Sequence, residues 1–84
     1  MNARKLLTKA LSSPAGLRFD EATRLAEAFG FSQIRARGSH HIFSRQEIPE
    51  LVNLQEVHGM AKAYQVRQLL RLVERYNLKL EEGA

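Results

Sequence analysis

The chain has no cysteine among its 84 residues. That excludes a disulfide framework, thiolate metal ligands and a cysteine nucleophile. No apolar run approaches the roughly 18 residues a membrane-spanning helix needs, and no secretory hydrophobic segment follows the start. The expectation is therefore a cytoplasmic protein with no membrane partner. Imidazoles are few: His40, His41 and His58. His40 and His41 are adjacent and on a strand must point to opposite faces, while His58 lies far along the chain with no H-x-x-x-H spacing. Neither a metal site nor a cofactor is expected. Acidic residues are the minority, 9 against 13 Lys and Arg, for a formal net charge of +4. The excess favours an anionic partner, nucleic acid first and an acidic protein surface second. A chain of this length buries only about 60–65% of its unfolded surface, enough for one modest core and a single domain, 1–84.

What is present divides into helices and strands by its apolar spacing. Asn2 to Leu11 reads as a helix with Leu6, Leu7, Ala10 and Leu11 on one stripe and Arg4, Lys5 and Lys9 facing away. Ser12 to Gly16, with Pro14, ends it. A second helix is predicted from Asp20, taken as its N-cap. Ala22, Leu25, Ala26 and Phe29 fall at i, i+3, i+4 and i+7, and Gly30 is the stop. Phe31 to Arg37 is the first strand; strict alternation puts Phe31, Gln33, Arg35 and Arg37 on one face and Ser32, Ile34 and Ala36 on the other. His40 to Ser44 returns antiparallel, Arg45 to Glu50 is read as a turn because it is polar and holds Pro49, and Leu51 to Leu54 is the third strand. Gln55 to Ala61 is expected to be a loop carrying His58 and Gly59. A last helix, Lys62 to Asn77, carries Val66, Leu69, Leu70, Val73 and Asn77 on one side and Arg67, Arg71 and Arg75 on the other.

The expected fold class is α+β: a three-stranded antiparallel sheet with helices packed on one face, preceded by an extra N-terminal helix. Residues 1–19 are the N-terminal addition, 20–78 the core, and 79–84 a frayed tail.

The chemistry concentrates between Arg35 and Phe43. Gly38 and Ser39 make a tight turn, the glycine by tolerating positive φ and the serine by adding a small hydroxyl. Histidine has an unperturbed pKa of about 6.5 and exchanges a proton near neutrality. Arg35 and Arg37 share a strand face, and guanidinium forks match phosphate oxygens in a bidentate way. The pattern points to phosphodiester chemistry or phosphate binding, against the plainer reading of a solvated polar hairpin. Lys62, Arg67, Arg71 and Arg75 form a possible second basic surface. Such a stripe serves either as a solubilising face or as a contact to RNA backbone or an acidic partner.

The run Phe29-Gly30-Phe31, leading through Arg37-Gly38-Ser39-His40-His41-Ile42-Phe43, resembles the HicA-type toxins of bacterial and archaeal toxin–antitoxin pairs. The likeness continues through a third strand, a Gly59 loop and a helix like Val66-Arg67-Gln68-Leu69-Leu70-Arg71, and covers roughly Asp20 to Leu78. It implies an α-β-β-β-α fold similar to double-stranded-RNA-binding domains. It also implies ribosome-independent mRNA interferase activity, restrained by a HicB-type antitoxin. By the same resemblance His40, directly after Gly-Ser, is the catalytic residue and His41 the second choice, with Gly38 and Ser39 in the same turn. The chain departs from the family where members often end the third strand in a Val-Pro-His-like element; here Val52-Asn53-Leu54-Gln55 stands. The rival expectation is a non-catalytic RNA-binding or protein-interaction module using the same fold and the same arginines.

Overall fold

Helix α1 (Ala3–Ser12) begins where Asn2 Oδ1 accepts the Lys5 N–H at 2.8 Å, so Asn2 is the cap and not a helical residue. A 3₁₀ turn at Pro14–Gly16 leads into α2 (Phe19–Ala28). This start differs from the one expected at Asp20. The Arg18 N–H is accepted by Glu21 Oε1 at 3.0 Å, so the carboxylate three residues on satisfies the first turn and Asp20 lies inside the helix. Glu21 is almost wholly buried and also takes the Lys9 ammonium at 2.8 Å. Lys9 therefore turns inward to α2 and does not face away as its helical phase alone had placed it. Gly30 ends α2 with φ +90°, a conformation that favours glycine, and a Cβ there would meet Arg45 Nε at 2.8 Å and push that side chain from its bond to the Phe29 carbonyl.

The sheet has four strands, not three, in the order β1 (Ser32–Arg37), β2 (His40–Arg45), β3 (Ile48–Val57) and β4 (Met60–Ala61), all antiparallel. Three sequence expectations change. The turn between β2 and β3 is only Gln46-Glu47, and β3 begins at Ile48 and runs through Pro49. A proline is tolerated there because its neighbour Ile48 pairs with Arg45, which leaves Pro49 facing the edge where no ladder bond is lost. The stretch expected to be a loop, Gln55 to Ala61, is the end of β3, a turn at His58-Gly59 and all of β4. His58 and Gly59 both take positive φ (53° and 80°), the pattern of a type I′ hairpin, which a histidine accepts more readily than a β-branched residue. Finally, β1 does not alternate strictly. Gln33 pairs with Phe43 and Arg35 with Ile42, so Ile34 is an extra, bulged residue.

Helix α3 (Ala63–Arg75) starts after Lys62 and stops before Asn77, whose positive φ of 51° marks the exit. The helices lie on one face of the sheet. Leu25 of α2 and Phe29 just after it, Val66 and Leu69 of α3, Phe43 of β2 and Val52 and Leu54 of β3 form the buried core with Leu17 and Phe31. Leu6 and Ala10 of α1 belong to this same core, so the N-terminal helix is integral to it. The structure is a computed structural model that describes residues 2–81. Within them Glu81, expected in a frayed tail, donates its N–H to the Ala28 carbonyl at 2.8 Å, while Glu82, Gly83 and Ala84 lie outside the described residues. No described helix is long and apolar enough to cross a membrane.

Candidate nucleic-acid interface on the open face of the sheet

Among the described residues the second face of the sheet carries no helix, and the register decides which side chains reach it. In β2 the core side takes His41 and Phe43, so His40 and Ile42 stand on the open side. Arg37 is the cross-strand partner of His40, and Arg35 that of Ile42. On the other flank Gln55 pairs with His40 and Asn53 with Ile42. Two rows result, Arg37–His40–Gln55 and Arg35–Ile42–Asn53. Neighbouring strands lie about 4.8 Å apart and alternate residues on a strand about 6.8 Å apart, so both rows fit within one nucleotide's reach.

The bulge at Ile34 shapes this patch. With strict alternation Gln33 would join Arg35 and Arg37. The extra residue instead turns Gln33 to the helix side, where its Oε1 lies 3.3 Å from His41 Nδ1. The open side keeps the two arginines. Arg35, Arg37, His40, Ile42 and Asn53 line a shallow depression of about 300 Å³, and no carboxylate is among them. Arg35, Arg37 and His40 are exposed, and none has a hydrogen bond or ion pair among the described residues. Cationic side chains without internal partners are available to phosphate.

The turn that sets this arrangement has two residues. Gly38 takes φ +57° while Ser39 does not take positive φ, the pattern of a type II′ hairpin with glycine first. Nothing lies within 4 Å of a Cβ built at Gly38, so the glycine answers to backbone conformation alone. The Ser39 carbonyl accepts the Glu56 N–H at 3.0 Å, which ties the turn to β3. Because β3 runs past the start of β2, the His58-Gly59 turn lies at the same end of the sheet as Gly38-Ser39.

His41 is separated from the arginines by the sheet itself. Its ring packs against Phe19 of α2 with centroids 4.7 Å apart at 53°. The second-choice histidine thus sits in a helix-to-sheet contact, and His40 alone shares a face with Arg35 and Arg37. Lys62, Arg67, Arg71 and Arg75 are apart from this patch, on or just before α3. Arg75 is engaged there: it donates to Glu50 at 2.8 Å, and the Tyr76 hydroxyl donates to the same carboxylate at 2.6 Å. Those bonds, the tyrosine's first, hold the Glu50 carboxyl below its usual range. Among the described residues no three His, Asp or Glu side chains lie close enough together to hold a metal ion.

Sequence reasoning missed Asn53 and Gln55. It placed Asn53 on a strand but gave it no role, and left Gln55 in a loop. The available signal was the alternation of Val52 and Leu54, which forces Asn53 and Gln55 to the opposite face. Compared with protein-family models, curated proteins and solved structures, the chain gives no match, so its likeness to HicA-type toxins stands on the residues quoted above.

Proposed function

We propose that the chain is a toxin-type endoribonuclease of the HicA kind, cleaving mRNA without the ribosome, with His40 as general base. The observation that carries this reading is the gathering of Arg35, Arg37 and His40 on one open, carboxylate-free sheet face. Neutral His40 takes the proton from a ribose 2′-OH. The 2′-oxygen attacks the adjacent phosphorus, and the bond to the 5′-oxygen breaks, that oxygen taking its proton from water. Arg35 and Arg37 hold the phosphate and offset the charge that builds on its oxygens. One positioned base supplies typically ~10²–10⁴-fold. With no second acid in the depression such an enzyme is slow, which suits growth arrest better than bulk RNA digestion. An antitoxin of the HicB kind would restrain it by covering this basic face with an acidic one.

The lone imidazole also supports a second reading, an RNA-binding module without chemistry. One experiment separates the two. Wild-type chain and His40→Ala are expressed on induction and scored for growth arrest and mRNA decay. In parallel, purified protein is given RNA with a single 2′-deoxy substitution at the scissile position. Arrest and cleavage lost in both the variant and the deoxy substrate support the nuclease. RNA binding with no cleavage by the wild type supports the module. Cleavage of all-DNA substrate at a similar rate excludes the base role.

A further inference from the structure

β3 has ten residues, yet β4 covers only Glu56 and Val57 of its outer edge. Gln55 stands opposite His40 on β2, but its N–H goes the other way, to Gln65 Oε1 of α3 at 2.6 Å. The main chain of Gln55 therefore faces outward, and alternation gives Asn53 and then Leu51 the same orientation. Neither has a main-chain partner on that side among the described residues. The free edge is bounded at both ends: the buried Gln65 side chain plugs it at Gln55, and Pro49, which has no N–H, closes it at the other end.

Helix α3 runs antiparallel beside this edge, Gln65 meeting Gln55 at one end and Arg75 and Tyr76 meeting Glu50 at the other. Between helix and edge lies a groove of about 500 Å³, lined by Glu50, Leu51, Gln68, Arg71, Leu72, Glu74 and Arg75. That is within the roughly 300–1,000 Å³ of ligand-holding clefts. Leu51, half exposed, and Leu72 give it an apolar floor. Its lining charges balance, Arg71 and Arg75 against Glu50 and Glu74, and the cationic excess comes from Arg67, one turn before Arg71 and just outside the lining. Arg75 and the Tyr76 hydroxyl already engage Glu50. Arg71, and Arg67 one turn before it, have no partner among the described residues, against the single carboxylate of Glu74.

We infer that this groove binds a short extended segment of an acidic protein partner. The segment adds as a strand to β3 at Leu51–Asn53, with its carboxylates towards Arg67 and Arg71 and an apolar side chain on Leu51 and Leu72. Main-chain pairing supplies affinity in this mode, and the alternate side chains supply selectivity. The inference is independent of the RNA chemistry, since the groove shares no lining residue with the His40 depression.

The test uses the full chain and a labelled octapeptide of alternating glutamate and valine, with affinity read by anisotropy and contacts by amide exchange. The amides of Leu51 and Asn53 are expected to become protected. Arg71→Glu, an exposed change that leaves the core intact, weakens binding about tenfold or more. A peptide N-methylated at every residue does not bind, and His40→Ala binds as the wild type does. The inference is overturned if the acidic peptide fails to bind, or if a lysine–valine octapeptide binds equally well. It also falls if the N-methylated peptide retains affinity, or if the perturbed amides belong to Arg35, Arg37 and His40.

Discussion

At the scale of single residues, the opposite surroundings of His40 and His41 are set by one residue of chain length. Adjacent strand positions face opposite ways, so His40 meets the arginines and His41 meets Phe19 and Gln33. His40→Ala is expected to abolish RNA cleavage while changing RNA affinity less than threefold, measured by filter binding beside a cleavage assay. His41→Ala is expected to lower stability and spare the chemical step. Arg35→Ala and Arg37→Ala each should weaken RNA binding across sequences and reduce the salt slope of log K by about one. A salt slope unchanged in both variants would place RNA elsewhere on the molecule. Gly38 gives a separable test. Its φ of +57° costs a β-branched side chain roughly 1–2 kcal/mol, but space is free, so Gly38→Asn is expected to be tolerated better than Gly38→Val in urea denaturation.

At the scale of elements, α1 and α2 are joined through a single carboxylate. Glu21 accepts the Lys9 ammonium and the Arg18 N–H, and those two bonds, the lysine's first, hold its carboxyl below the usual glutamate range. A carboxyl whose folded pKa lies below its unfolded one adds stability that is complete above the ordinary range, about pH 4–5, and lost as pH falls through the depressed value. The urea midpoint should therefore be flat from pH 7 to about 5 and decline below it, with a shallower decline in Glu21→Gln. Glu21→Ala also leaves the start of α2 without its acceptor and should cost about 1–2 kcal/mol at pH 7. A midpoint independent of pH down to 3 would contradict this account. In β1 the bulge at Ile34 keeps an otherwise exposed edge strand from presenting a regular row of unpaired groups.

At the scale of the whole molecule, three helices among the described residues supply one layer and four strands the other, and the second sheet face is left uncovered. The N-terminal helix is part of that economy. Leu6 is wholly buried against residues of the later elements, so Leu6→Ala should destabilise the chain by about 2–4 kcal/mol, read from denaturant midpoints at constant m-value. A loss below ~0.5 kcal/mol would mean that α1 is only an appendage. β4 is short enough that most of β3's outer edge stays open, and that follows from the chain leaving the sheet at Lys62 to begin α3.

The helices were legible because their apolar residues repeat with a period near 3.6, and Leu25, Phe29, Val66 and Leu69 are buried as that spacing requires. The face shared by Arg35 and Arg37 and the opposition of His40 and His41 were legible for the same local reason, period two. The fourth strand was not. Gln55 to Ala61 has little apolar alternation, and it is extended because pairing with His40, the Ser39 carbonyl and the Gln65 side-chain oxygen recruit its main chain. Nor was the inward turn of Lys9, which depends on a carboxylate buried at a helix junction. Local periodicity fixes which residues share a face. Only long-range hydrogen bonding and burial decide which faces meet, which edge stays free, and that His40 comes to stand between Arg37 and Gln55.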